Sequence, residues 1–422
     1  MSPWQLEEVT SSSGSPARVA FRYPNFRLYM TARFLSVVSS EMISVAVGWQ
    51  IYAMTHRPLD LGLAGLAQFA PGVLLFLVAG YTADRHSRQA IIRTCYAAFA
   101  ACAGALLVFT LHGVGSVWPI YAVLLANGTV RAFNGPAGQA FLPQLVKAEH
   151  FANAVTWGSS FFQTATILGP VAGGLIYGFA GNPAPVYACA TVAYSAGVVL
   201  LSAIRVNVAA RAGVAASSGL ILDGLRYIWR NKLILGCMSL DLFAVLLGGA
   251  VALLPVYASE ILHIGPNGLG ILRAAPGVGA VAVAILLAHY PLRQRAGVSM
   301  LYSVAGFGVF TIVFGISHNV TLSLVALAFA GAFDMVSVIV RSTLVQLTTP
   351  DEMRGRVSAV NMLFIGASNE VGQFESGITA QWFGAVPAVV LGGAGTIAVV
   401  LAWNWLFPSL RGVDKLVKEQ HA

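Results

Sequence analysis

Charge is what this sequence has least of. Only 9% of its 422 residues are Asp, Glu, Lys or Arg, against 57% hydrophobic, and the mean hydropathy is +0.76. A water-soluble domain carries about a quarter charged residues, so this chain has too little polar surface to face water all round. Cysteine is scarce too. Cys95, Cys102, Cys189 and Cys237 all lie in apolar stretches, with no Cys-x-x-Cys pair and no histidine cluster of metal-ligand spacing, so no metal or cofactor is expected. The eight histidines lack paired His/Asp spacing, and no Gly-rich phosphate loop ending in Lys occurs, which argues against an enzyme or an ATPase. The polar, Ser-rich first two dozen residues lack the apolar core of a signal peptide, so the first span is expected to direct insertion. The net charge of +8 is dispersed between apolar runs rather than gathered on one face, which argues against nucleic acid and for a lipid bilayer.

What is present is a succession of apolar runs of bilayer length, about 20 residues each. They fall near 26–53, 61–83, 90–111, 117–139, 153–178, 184–204, 233–258, 265–289, 298–317, 320–345, 357–381 and 385–407. The expected fold is an all-α membrane protein of twelve transmembrane helices in two pseudo-symmetric six-helix bundles. The expected organisation is a tail over 1–25, one bundle over 26–204, a linker over 205–232, a second bundle over 233–407 and a tail over 408–422. Of the 24 Lys and Arg, Arg57 falls on the outer side and Arg33, Arg131, Arg273 and Arg341 fall within spans if the N-terminus is cytoplasmic; the other 19 lie on or border the cytoplasmic side. That positive-inside bias places both termini in the cytoplasm. Within the linker, Leu222, Leu225, Ile228 and Trp229 have helical spacing, with Arg226, Arg230 and Lys232 on other faces, as for a helix lying on an anionic membrane surface or a solvated connector. An internal repeat supports two halves: Gln144-Leu145, Glu149 and Val155 recur as Gln346-Leu347, Asp351 and Val357, each 202 residues on.

Between spans two and three stands Gly80-Tyr81-Thr82-Ala83-Asp84-Arg85-His86-Ser87-Arg88. Gly80 allows close helix packing, while Asp84 can accept from a neighbouring helix N-terminus and from Arg88, closing the cytoplasmic side as a gate. The corresponding second-half loop, Tyr290 to Arg295, keeps Arg293 and has no acid. Span four carries Arg131-Ala132-Phe133-Asn134-Gly135; a buried arginine costs about 2.5–3.5 kcal/mol on insertion scales, so Arg131 should face protein or a watery cavity. Span five carries Gly169-Pro170-Val171-Ala172-Gly173-Gly174, in which Gly169 and Gly173 share a face and Pro170 bends the helix, for tight helix packing.

Five acids stand at membrane depth: Asp241, Glu41, Asp334, Glu370 and Glu375, in the order expected for proton coupling. Each must line a cavity, pair with a base or carry a proton, the setting a proton carrier needs. Asp334 and Arg341 are two turns apart on one face, whereas Glu370 and Glu375 are about 140° apart and should not share a cavity. Glu370 or Glu375 could instead partner Arg341 or Arg273. Trp49, Gln50, Gln68, Phe162 and Gln163 are candidates for a substrate cavity, as aromatic and amide residues on inner faces.

The loop from Gly80 to Arg88 matches the Gly-x-x-x-Asp-Arg-x-Gly/Ser-Arg pattern of the major facilitator superfamily, which residues 26–407 resemble as a whole. The Arg131 segment resembles the superfamily's Arg-x-x-Gln-Gly with Asn for Gln, and the resemblance implies a link between Arg131 and proton movement. The span-five segment is similar to the Gly-Pro-x-x-Gly-Gly of antiporter-type members, although Ala165 and Thr156 replace upstream glycines of the fuller pattern. Leu240-Asp241-Leu242-Phe243, Gly331-Ala332-Phe333-Asp334 with Arg341, and Thr349-Pro350-Asp351 with Arg354-Gly355-Arg356 resemble the bacterial branch that includes the enterobactin exporter. That resemblance implies an inner-membrane protein that exports a siderophore, drug or other amphipathic compound by proton antiport; the expected partners are protons, the small-molecule cargo and the lipid bilayer, and the protein is expected to function as a monomer. A proton-coupled importer of a small metabolite is the alternative, and a membrane sensor or membrane enzyme a more remote one.

Overall fold

The computed structural model describes residues 16–113, 115–205, 218–290 and 295–413, all helix or connecting turn, with no strand among them. Helices are the expected outcome because a chain in hydrocarbon must satisfy its own backbone N–H and C=O groups. The first half comprises α1 (Pro24–Thr55), α2 (Pro58–Leu74), α3 (Phe76–Arg85), α4 (Arg88–Leu111), α5 (Trp118–Phe141), α6 (Phe151–Ala180) and α7 (Ala184–Ala203). Proline stands at the first or second helical position of α1, α2, α5 and α7, where its missing N–H removes no helical bond. Left-handed residues stop α1 at His56 (φ 49°) and α6 at Gly181 (φ 69°).

Helix α8 (Ser218–Arg230) follows. Its Ile228 is buried against Ile234, Met238, Val357 and Val360 of the second half, while Leu225, Arg226, Trp229 and Arg230 face outward. The side chain of Leu222 lies outside the described residues, as does Arg293. The second half comprises α9 (Lys232–Leu247), α10 (Leu254–Val256), α11 (Gly265–His289), α12 (Ala296–Gly315), α13 (Val320–Thr348), α14 (Asp351–Phe383), α15 (Ala385–Leu406) and the short α16 (Pro408–Arg411).

Among the described residues, eight helical runs are long and apolar enough to cross a membrane: α1, α4, α7, Lys232–Ile261, α11, α12, α13 and α15. Helices α5, α6 and α14 are as long, 24, 30 and 33 residues, without an equally apolar stretch of that length. Two expected continuous runs are divided. Pro71, which lacks an N–H and crowds the preceding turn, precedes a break at Leu75 (φ −99°, ψ 1°) that separates α2 from α3. The run over 233–258 breaks at Gly248-Gly249 and continues as a 3-10 turn (Ala250–Leu253), α10 and a π-turn (Tyr257–Ile261).

Helix pairings repeat between the halves. Helix α1 packs on α6 and α7, as α9 packs on α14 and α15; α2 packs on α5 as α11 on α13; α4 packs on α5 and α7 as α12 on α13 and α15. The close approaches repeat too. Gly128 of α5 lies against the backbone of Gln68, and Gly331 of α13 against that of Pro276, with no room for a Cβ at either. The repeated Gln144 and Gln346 stand at matching places, a 3-10 turn after α5 and the last turn of α13.

The halves meet chiefly at the end of the bundle remote from the termini, where α6 packs on α11 and α2 on α14. Gly169 and Gly173 fit against α1, with a Cβ on Gly173 placed 2.8 Å from Met42 Cα. Gly174, one position round, faces the other half: its Cβ would lie 2.6 Å from the Pro266 carbonyl and 2.8 Å from Gly270 Cα. Gly62 and Gly377 lie against one another in the α2–α14 contact. Gly174→Val is therefore expected to wedge this end open. Labelling of a cysteine introduced by Ser44→Cys with an impermeant maleimide, applied from that side, should rise severalfold; unchanged labelling would show that the contact does not govern access.

Candidate functional site

Two connected cavities lie on the inner faces of the helices. The wider, about 780 Å³, occupies the end that carries the termini and is bordered by Arg33 of α1, Gln139 of α5 and Phe151 and Phe162 of α6. The inner chamber, about 200 Å³, lies between the halves and receives Glu41 and Ser44 from α1, Gln68 from α2, Arg131 from α5, Arg273 from α11 and Glu370 and Gln373 from α14. Ser40, Glu41, Arg131 and Tyr194 border both. These side chains converge because α1, α2 and α5 of one half and α11 and α14 of the other turn polar stripes inward, where exposure to lipid would be costly.

Arg131 links the halves. Its Nη1 donates to Gln68 Oε1 at 3.1 Å and lies 3.9 Å from Glu370 Oε1 across the interface, while Gln373 Nε2 donates to Glu370 Oε2 at 3.2 Å. Gly65 of α2 makes the approach possible: a Cβ there would sit 3.3 Å from Gln373 Oε1 and 3.4 Å from Glu370 Oε2. The Arg131 side chain is 52% exposed to the cavities and that of Glu370 17%, so the arginine is open to a ligand while the acid is half withdrawn into α14. Asn134, three residues beyond Arg131, borders the wider cavity, and its Oδ1 is buried without a hydrogen-bond partner among the described residues.

Asp241, first in the sequence ranking, is elsewhere. It accepts from Arg341 in a buried ion pair, the two residues 6% and 5% exposed. Asp334 borders the same minute void, with Val304, Phe307 and Ser337, and none of this cluster borders either cavity. Two acids and one base thus sit inside the second half. Glu375 accepts from Thr379 of its own helix at 2.8 Å and does not join Glu370.

Of the cavity candidates, Gln68 and Phe162 border cavities, and the other three do not. Gln50 bridges α1 to its own half, accepting from the Tyr187 hydroxyl at 2.6 Å and donating to Thr110 at 3.2 Å. Trp49 is partly buried against the apolar core that both halves share, and the Gln163 carbonyl accepts from Thr166 at 2.9 Å. In the Gly80 loop, Arg88 donates to the Ala140 carbonyl at the C-terminal end of α5 at 3.0 Å, a favourable place for a cation, and Arg85 lies 4.4 Å over the Tyr81 ring. The Asp84 side chain lies outside the described residues, so its expected bond to Arg88 is not described. Tyr52 and Glu260, joined across the halves by a hydrogen bond, were not among the expected site residues. Glu260 lies just beyond the end of the apolar run over 233–258, where hydropathy gives no reason to select it.

Paired helical halves closing over a charged chamber define a secondary transporter of the major facilitator superfamily, not an enzyme. Residues 15–420 match the family described as transmembrane secretion effector, and the chain belongs to it. Among curated relatives, the enterobactin exporter EntS of Citrobacter koseri is 27% identical over 387 residues, covering 90% of this chain and 87% of the relative. EntS of Salmonella choleraesuis is 26% identical over 384 residues, covering 90% and 88%. Among solved structures, an inward-facing bacterial homologue of the lysosomal transporter Spinster superposes with a TM-score of 0.70 at 13% identity, covering 95% of this chain and 99% of that one. A D-xylose–proton symporter superposes with 0.68 at 14% identity, covering 93% and 98%. These structural likenesses establish the fold.

Proposed function

We propose that this protein is a proton-coupled exporter of an amphipathic small molecule, of the siderophore or drug class, in the bacterial inner membrane. It works as a monomer of twelve spans with both termini cytoplasmic, α2 with α3 forming the second span and α9 through the π-turn the seventh. The domain limits are those read from the sequence, with α8 belonging to the linker. The wider cavity then opens to the cytoplasm, the side from which an exporter loads, and rocking of the halves about the α6–α11 and α2–α14 contacts would expose the chamber on the other side.

The observation that carries this reading is the Arg131–Glu370 pair across the halves, with Glu41 beside it in the chamber. The Glu370 carboxylate beside Arg131 can hold a proton or accept from a hydrogen-bond donor of the cargo, but not both at one oxygen, so a proton there weakens cargo binding and bound cargo displaces the proton. Proton and cargo can therefore exchange at one place, as antiport requires, and Glu370 and Glu41 take the proton-carrying role ahead of Asp241. The relatives named as enterobactin exporters support the outward direction and the siderophore class.

The test is uptake into inverted membrane vesicles under an imposed proton gradient across a panel of siderophores, dyes and antibiotics. Gradient-dependent accumulation of one compound is expected. Uptake with protons by right-side-out vesicles, and none by inverted ones, would replace the exporter with an importer.

A further inference from the structure

The two cavities hold more positive charge than their acids can match. Among the described residues they are bordered by three arginines, Arg33, Arg131 and Arg273, and two acids, Glu41 and Glu370. Arg131 is engaged by Gln68 and Glu370. Arg33 and Arg273, both partly buried, form no ion pair and no hydrogen bond among the described residues. A guanidinium at membrane depth with no acid beside it is costly to keep. Space is nevertheless left for one of them: Gly158 of α6 borders the wider cavity, and a Cβ built on it would lie 3.3 Å from Arg33 Nη1. Glu41 follows Arg33 by eight residues of α1, about 12 Å along the axis, so Arg33 stands toward the termini while Arg273 borders the inner chamber. The cavities also differ in size. About 780 Å³ is room for the body of a drug-sized molecule, whereas about 200 Å³ admits only a compact group. The exposed rings of Phe151 and Phe162 line the wider one.

We propose that the cargo is an amphipathic organic anion, its compact head seated in the inner chamber between Arg131 and Arg273 and its apolar body in the wider cavity, with Arg33 as the charge that draws it in. The assignment deepens the exporter reading and rests on its placing the cargo at the Arg131–Glu370 pair. With Glu41 and Glu370 ionised, the two cavities carry one positive charge in excess, which a single anionic group balances. A cationic cargo would add to that excess, and a neutral one would leave it. The head also carries the hydrogen-bond donor that meets Glu370, as a hydroxy acid does. Arg273 acts on the seated head, through charge-assisted hydrogen bonds. Arg33 acts earlier. A fixed charge in a cleft with low-dielectric walls raises the rate at which an opposite charge enters, and does little once that charge has moved inward. An anion leaving while a proton enters moves charge in one electrical sense at both steps, so an interior-negative membrane potential drives each.

The experiment compares probes that share one body and differ in the charge of the head: a hydroxynaphthoate, the corresponding hydroxynaphthamide and the corresponding aminomethylnaphthol, with the hydroxyl beside the head in each. Binding to the protein in lipid nanodiscs at neutral pH is read from probe fluorescence, with empty nanodiscs subtracted and no gradient imposed. The naphthoate should bind about tenfold more tightly than the other two. Arg273→Gln should lower its affinity about tenfold and leave that of the amide within about twofold. Arg33→Gln should slow its association severalfold, flatten the salt dependence of that rate and leave dissociation unchanged. Arg273→Lys and Arg33→Lys, which keep the charge, should retain most of the wild-type behaviour and so separate loss of charge from loss of fold. Equal affinity for the naphthoate and the amide, binding of none of the three, an anion preference that survives Arg273→Gln, or unchanged association in Arg33→Gln would overturn the assignment. An importer would bind the probes in the same order, so failure of the outward direction leaves this result standing, and loss of the anion preference sinks the cargo class alone.

Discussion

Asp241→Asn is expected to lower stability by about 3–5 kcal/mol, because it strands the Arg341 guanidinium without its charge partner in a buried site. A loss of that size removes much of the ~5–15 kcal/mol margin of a folded domain. Thermal unfolding of the detergent-solubilised protein should show it as a clear fall in midpoint. The pair Asp241→Leu with Arg341→Met should recover most of the loss, since replacing a buried ion pair by apolar side chains of similar volume is often neutral or stabilising. If instead Asp241→Asn keeps its stability yet abolishes gradient-driven transport, the cluster carries the proton and the chamber does not.

Glu370→Gln should uncouple the transporter, and Arg131→Gln should disable it. A proton falling through 100 mV supplies about 2.3 kcal/mol, enough to sustain a concentration ratio of roughly fiftyfold per proton. Glutamine keeps the size of Glu370 and its contact with Gln373 but cannot release a proton, so accumulation in energised inverted vesicles should fall to the unenergised level. Exchange of labelled for unlabelled cargo, which needs no gradient, should continue. Arg131→Gln removes the chamber's contact for a polar cargo group as well as the partner of Glu370, so exchange and accumulation should both fall, by about tenfold or more for one lost charge-assisted contact of ~1.5–3 kcal/mol. Equal loss of both activities in Glu370→Gln would contradict its role as a proton carrier. Retained exchange in Arg131→Gln would move the ligand contact elsewhere.

Much of the architecture was legible in the sequence because hydropathy reports what a membrane demands: long apolar runs with the charge kept largely between them. Less legible was the inside of each run. Pro71 and Gly248-Gly249 interrupt helices that hydropathy reads as continuous, since apolar character says nothing of backbone continuity. Arg131 announced itself by its cost at membrane depth, and the structure opens it to the cavities. Its partner was not foreseen: the proposed bases for Glu370 were Arg341 and Arg273, because sequence spacing relates residues on one helix and not residues on facing helices. The same blindness put Gln50 in the cavity, although α1 turns it toward Thr110 and Tyr187 of its own half. Glu260 escaped notice because an acid at a span end is ordinary, and only the π-turn and its meeting with Tyr52 make it unusual.

The contact of Gly174 with Gly270 has a consequence for how such a protein can change over time. Where Gly174 bears on Gly270, main chain meets main chain, and at that point no side chain has to be remade as the halves move, although the Asn267 and Ile167 side chains pack against Gly178 and Gly277 in the same contact. None of these contact residues borders the wider cavity. Phe162 and Gln139 border that cavity away from the bearing, so on the proposed function substitutions there are expected to alter which compound is carried and to leave the motion intact. One mechanical frame can in this way serve a lineage whose cargoes diverge, with selection acting on the lining and leaving the fulcrum alone.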